Sequence, residues 1–200
     1  MEICTEHLDA LQELINIGMG KAAGVLNEMV NAHVVLQVPE LQIIQPGQLS
    51  CNMQVGIESS VSAIRLKFDE PFSGSAVLLF SQENAAYLVE LLVGGEGESF
   101  DLDTLRMGTL QEIGNIVLNT VLGTLGNLLG ENLHFLPPEY LEESIETIVC
   151  EYEAQEHQIL YIKTLFHVEQ HNLQGEIIFI FQMDTFNRLL KGLDEMVSSI

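Results

Sequence analysis

Glu13 and Asn16 stand three residues apart in QELINIGMGKAAGVLNE (12–28), and Glu112 and Asn115 repeat the spacing in QEIGNIVLNTVLGTLGN (111–127). Residues three apart on a helix are neighbours on one face, so each pair would present a carboxylate beside a primary amide. A carboxylate can pair with a cation or take up a proton, although a glutamate in water ionises near about pH 4.3 and is a poor base at neutral pH. An amide both accepts and donates, so it can fix the orientation of a water molecule. One such pair on an exposed helix is ordinary solvated surface. The second copy, in the same apolar setting, is what gives the pattern weight.

Turning each residue by about 100° places these groups on a wheel. Asp9, Glu13, Asn16 and Gly20 share one stripe about 60° wide. Leu11, Leu14, Ile15, Gly18, Ala22, Val25 and Leu26 fall on the face expected to pack on a sheet. In the second segment Gly108, Glu112, Asn115 and Asn119 form the stripe, opposite Leu110, Ile113, Val117, Val121 and Leu125. The Met and Leu residues of both segments are expected in the core. Gly20 and Gly108 leave room for a partner's backbone, at a cost of about 1 kcal/mol of helix stability relative to Ala.

These segments belong to a larger repeat. An offset of 99 aligns Leu11 with Leu110, Gln12 with Gln111, Glu13 with Glu112, Asn16 with Asn115, Gly24 with Gly123, Pro39 with Pro138 and Glu40 with Glu139. The offset then grows to 101, where Gly74 meets Gly175 and Phe80 meets Phe181. Glu, Asn, Gly and Pro in one register indicate an internal duplication, 1–95 and 104–200. Gly20, Lys21 and Glu28 become Asn119, Thr120 and Asn127, while the Glu–Asn pairs are unchanged.

Each half opens with a long helix (roughly 6–30 and 104–129), with Thr5 and Asp101 or Asp103 as caps. Strand-like runs follow: HVVLQV, QVGIE, SAIRLKF and SAVLLF, then TIVCEYE, ILYIKTLF and EIIFIF. A shorter amphipathic helix closes each half, QENAAYLVELLVGG and DTFNRLLKGLDEMV, and GGEGESFDLD forms the seam. Consecutive strands without intervening helices predict an α+β fold. The expected architecture is a single pseudo-twofold-symmetric domain over 1–200. Its long central sheet is mainly antiparallel, with two exposed motif helices and two shorter helices.

Composition removes several classes of function. The chain has 200 residues, 47% of them apolar, and a net charge of −22 with only seven Lys and Arg. Such a surface repels phosphate backbones and anionic headgroups, arguing against nucleic acid and membrane insertion. The three cysteines (Cys4, Cys51 and Cys150) suggest neither a disulfide framework nor a zinc site. MEICTEHLDA does not resemble a signal peptide, and a reducing cytoplasm is the expected location. The scattered histidines include no helical pair suited to zinc. GMGKAAG lacks the pattern of a phosphate-binding loop and lies within a helical segment.

The spacing Asp-x3-Glu-x2-Asn-x22-Pro, read as Asp9, Glu13, Asn16 and Pro39, resembles the signature of the CheC/CheX/FliY phosphatases, which act on the phosphorylated chemotaxis response regulator CheY. The second copy reads Glu112, Asn115 and Pro138, with Gly108 where the family has Asp or Ser; Thr109 is adjacent but projects about 100° away. Two motifs in this length are similar to CheC-type members. CheX-type members carry one active motif, and FliY-type members carry further switch-protein segments for which this length leaves no room.

The resemblance implies hydrolysis of the regulator's aspartyl phosphate. An acyl phosphate needs little covalent help, so positioning a water in line is the main task. Asn16 and Asn115 are the candidates for that task. Resemblance assigns Glu13 and Glu112 to a salt bridge with the regulator's active-site lysine. Asp9, Gly20, Gly108 and Asn119 would extend the docking surface, and Pro39 and Pro138 would be structural. No intrinsic cofactor or metal is expected; magnesium would belong to the regulator. Many relatives also bind the deamidase CheD through the last helix, which points to Phe186, Leu189 and Leu190. The alternatives are a non-catalytic adaptor for the regulator or CheD, and a switch or sensor module in another two-component system.

Overall fold

SAVLLF and EIIFIF are apolar at consecutive rather than alternate positions, a pattern that requires cover on both faces of a sheet. They form its centre. The computed structural model describes residues 4–30, 33–45, 60–69, 73–93, 102–130, 132–153 and 157–198. In chain order the elements are α1 (Thr5–Val30), β1 (Val34–Ile44), β2 (Ser60–Asp69), β3 (Gly74–Ser81), α2 (Gln82–Val93) and α3 (Leu102–Leu129). They continue with β4 (His134–Phe135), β5 (Glu139–Ser144), α4 (Ile145–Glu153), β6 (His157–Val168), β7 (His171–Gln182) and α5 (Met183–Ser198).

The described strands form one antiparallel sheet in the order β1-β6-β7-β3-β2-β4, with β5 also paired to β2. Strands β3 and β7 meet with Val77 opposite Ile178, residues that are themselves 101 apart. The pseudo-twofold axis therefore passes through that pair. The halves are interlocked: β1 of the first pairs with β6 of the second, and β5 of the second pairs with β2 of the first. Smaller contacts repeat with the same offset. The Asn84 amide donates to the Gln174 carbonyl at 3.0 Å, and the Thr185 hydroxyl donates to the Ser73 carbonyl at 3.4 Å.

Helices α1, α2, α3 and α5 cover one face of the sheet through Leu11, Ile15, Leu88, Ile113, Val117, Leu189 and their neighbours, which pack on Ile64, Leu78, Phe80, Phe166 and Phe179. On the other face α4 contributes Ile145 and Ile148 to a cluster with Val61, Leu79, Tyr161, Ile178 and Ile180. Burying each such side chain stabilises the fold by about 1.5–3 kcal/mol. Glycines permit two close approaches. A Cβ on Gly18 would lie 2.9 Å from the Val121 backbone, and one on Gly114 would lie 2.5 Å from Ile64. These positions set how closely α1 meets α3 and how closely α3 meets the sheet.

Two expectations change, and a third is untested. TIVCEYE is not a strand but most of α4, capped by the Ser144 hydroxyl, which accepts the Thr147 N–H at 3.2 Å. The apolar spacing Ile145–Ile148 is helical, and this outweighs the β propensity of Val, Ile and Tyr. The strand next to it is instead EYLEES, whose charges suit an exposed sheet edge. QVGIE lies outside the described residues. At the start of α1, Cys4 rather than Thr5 is the residue before the helix, and its N–H donates to His7 Nδ1 at 3.3 Å.

Candidate functional site

Both motif helices lie on the same side of the sheet, so their polar stripes face away from it. On α1, Asp9, Glu13, Asn16 and Gly20 are all exposed. On α3, Gly108 and Glu112 are exposed, whereas Asn115 and Asn119 are half-buried. The Asn119 Nδ2 donates to Asn115 Oδ1 at 2.5 Å, and Asn119 Oδ1 is buried with no hydrogen-bond partner. At the equivalent place on α1 stands Gly20, where an added Cβ would meet nothing within 4 Å. One amide thus projects from a bare helix face, and the other is held by its neighbour one turn on.

The proline of each motif breaks an edge strand. Pro39 sits where the β1–β6 register shifts between Gln37 and Glu40, and Pro138 separates β4 from β5. Proline has no N–H to give a ladder, so it is tolerated at such an edge bulge. The Gln preceding each motif Glu reaches these breaks: Gln12 donates to the Val38 carbonyl at 3.5 Å, and Gln111 donates to the Pro138 carbonyl at 3.2 Å. The glutamate after each proline is also tied down. Glu40 pairs with Lys163 across β1–β6, and Glu139 pairs with Arg65 at 2.7 Å across β5–β2. The hydrogen bond from Lys163 holds the Glu40 carboxyl below its ordinary range; burial opposes it, and the Lys163 charge and a hydrogen bond from Gln42 add to it. The long gap between helix and proline in the motif is thus the distance from the polar stripe to the strand break that anchors it. Gln12, Gln111, Glu40 and Glu139 were visible in the repeat alignment, but the wheel gave them no role.

At their N-terminal ends the two helices are fixed differently. His7 on α1 meets Asp194 of α5 at 2.7 Å. Its counterpart on α3, Arg106, donates to the Ser62 hydroxyl and the Gln82 carbonyl, each at 3.2 Å. Beside the α3 stripe, Lys21, Asn119, Thr120, Thr124 and Asn127 line a groove of about 330 Å³ between the helices. A larger cleft of about 920 Å³, lined by Pro39, Glu40, Lys163, Thr164 and Glu176, contains none of the paired Glu and Asn residues. The motif residues present a surface rather than a pocket.

Several sequence-based placements are corrected. Phe186, Leu189 and Leu190 are 2%, 1% and 1% exposed, packed in the core against residues such as Phe181, so they are unavailable as a contact for a partner. The amphipathic pattern of α5 is explained by that packing. Val25, expected on the sheet-facing side of α1, is 47% exposed, and Met29, Leu105 and Met107 are also exposed rather than core. GMGKAAG lies within α1. Among the described residues no group of three or more His, Cys, Asp and Glu is arranged to hold a metal, and no helix is long and apolar enough to cross a membrane.

An antiparallel sheet carrying two parallel sets of motif contacts defines a mixed α/β protein with two related polar helix faces. The CheC-like family model matches residues 6–43, which include the whole first motif. The CheY-P phosphatase CheC of Bacillus subtilis (strain 168) is 23% identical over 197 residues, covering 94% of each chain. The flagellar motor switch phosphatase FliY of the same organism is 26% identical over 132 residues, which is 65% of this chain but only 34% of FliY. Among solved structures, Thermotoga maritima FliY superimposes with a TM-score of 0.73 at 18% identity, covering 98% of this chain and 99% of that one. The FliM middle domain from H. pylori does so with a TM-score of 0.70 at 12% identity, covering 95% and 99%. By these sequence matches and the shared fold the chain is similar to the CheC/CheX/FliY family.

Proposed function

We propose that the protein terminates a chemotaxis signal by hydrolysing the aspartyl phosphate of a phosphorylated CheY-type response regulator. The observation that carries this reading is the solvent-facing Glu13–Asn16 pair, repeated at Glu112–Asn115 on a second helix of the same face. Similarity to a CheY-P phosphatase along nearly the whole chain supports it. A flat polar helix face, rather than an enclosed cavity, also suits a folded protein as substrate.

In this mechanism each helix lies against the regulator's phosphorylation site. Glu13 or Glu112 pairs with the regulator's active-site lysine and sets the register. Asn16 or Asn115 holds a water through its amide, with the water's lone pair aimed at phosphorus and in line with the aspartyl oxygen. The new P–O bond forms as the bond to the aspartyl oxygen breaks. The carboxylate is returned to the regulator, and the water's proton leaves with inorganic phosphate or solvent. Magnesium, if held by the regulator, would neutralise the phosphoryl charge. Positioning of this kind contributes on the order of 10²-fold in rate. Asp9 extends the docking surface, and Gly20 and Gly108 give the regulator a close approach.

Purified protein added to phosphorylated regulator with magnesium tests this. Shortening of the phosphate lifetime is expected, and decay at the spontaneous rate contradicts it. Glu13→Ala and Glu112→Ala, each measured by binding, are expected to weaken the complex. The second reading is a non-catalytic adaptor for the regulator or CheD, favoured by the fold shared with the FliM middle domain. On that reading the regulator binds but its phosphate decays unchanged. A CheD contact on α5 would have to use exposed residues such as Asp184 and Lys191 in place of the buried Phe186, Leu189 and Leu190.

A further inference from the structure

The two copies of the motif are not equally prepared. On α3 the Asn115 amide is half-buried and accepts a hydrogen bond from Asn119, one turn further along; on α1 the Asn16 amide is exposed and the residue one turn further along is Gly20. Asn119 is an expensive choice for the middle of a helix. Asparagine is a poor helix former, and its Oδ1 has no hydrogen-bond partner among the described residues. Among the described residues its side chain donates to Asn115 Oδ1.

We infer that Asn119 is a positioning residue that presets the Asn115 amide for water orientation, so that the second site is rigidly arranged and the first is not. This rests on the phosphatase reading of the motif. The Asn115 oxygen has two lone pairs, and only one is taken by Asn119; the other, and both amide hydrogens, remain for water. Holding the side chain in one rotamer removes an entropic cost that the first site must meet each time a water is placed. Asn119 would act through Asn115, and its effect should appear in kcat rather than in KM.

The test has two arms on the full chain. In side-chain amide NMR with labelled asparagine, the Asn119 amide should exchange slowly with solvent, and Asn115→Ala should abolish that protection. Exchange of Asn119 as fast as that of Asn16 overturns the proposal. For kinetics, Asn16→Ala silences the first site, and Asn119→Ala is added in that background. Loss of about threefold to tenfold in kcat with KM unchanged is expected, with partial rescue by Asn119→Gln, which restores a donor. An unchanged kcat, or a change confined to KM, overturns it. Conversely, Gly20→Asn in the Asn115→Ala background should raise kcat, because the added side chain meets no obstruction. An Asn16→Ala protein that is inert while Asn119 stays protected counts against phosphatase action at the second site, and leaves the hold on Asn115 standing.

Discussion

The motif helices α1 and α3 descend from one pattern, yet they sit in the fold differently. Helix α1 keeps a polar stripe exposed from Asp9 to Gly20 and also leaves Ile17, Val25 and Met29 open. Helix α3 is buried on two flanks at once, with Val117 and Leu118, then Val121 and Leu122, fully covered, and its stripe narrows to half-buried Asn115 and Asn119. The difference teaches that one Glu–Asn spacing can be delivered by a surface-mounted helix or by one wedged into the core. The sheet, the proline breaks and the Gln ties are shared; the cover on the amide and its hydrogen bond to a neighbour differ.

The largest effect expected from this contrast is on stability. Leu118→Ala on α3 should cost about 2–5 kcal/mol, because a fully buried side chain leaves a cavity. Val25→Ala on α1 should change stability by about 0.5 kcal/mol or less, as an exposed substitution. Chemical denaturation of both variants measures the gap, and equal losses would break the comparison. Next comes Gly18→Ala, whose Cβ would press on the Val121 backbone at 2.9 Å and should cost about 1–3 kcal/mol as the helices part. Gly20→Ala, two residues on, meets nothing and should stabilise α1 by up to about 1 kcal/mol, read as a rise in Tm.

The smallest effect concerns the strand breaks. Because the folded Glu40 carboxyl is held below its ordinary value of 4.5, its pairing with Lys163 stabilises the fold above that pH and is lost as the pH falls through the lowered value. The pair is partly exposed, so the contribution is under about 1 kcal/mol. Lys163→Met should therefore flatten the acid limb of the stability curve slightly. An unchanged limb would remove Glu40 from the account.

Much of this was legible in the chain. Glu13, Asn16 and Glu112 stand on exposed faces because helical spacing alone dictates which residues share a stripe. The offset of 101 that pairs Gly74 with Gly175 also locates the centre of the sheet, since the two strands cross at residues separated by that number. What was not legible depends on contacts between distant segments. Alternation along β1 does not say that it pairs with β6 of the other half. Nor does the amphipathic pattern of DTFNRLLKGLDEMV distinguish burial from docking, and Phe186, Leu189 and Leu190 went to burial. TIVCEYE was misread because β-branched residues outweighed a Ser-x-x-Thr cap and an i, i+3 apolar pair that were both present. The partly covered state of Asn115 followed from neither wheel nor composition; it needed the position of α3 against the sheet and α1.

The decisive experiment follows the decay of phosphorylated regulator in the presence of the Asn16→Ala/Asn115→Ala protein, with circular dichroism to show that its helices are intact. Loss of essentially all acceleration over spontaneous decay, with regulator binding retained, is the result expected if the two amides orient the attacking water. A folded double variant that still dephosphorylates the regulator at the wild-type rate would contradict it.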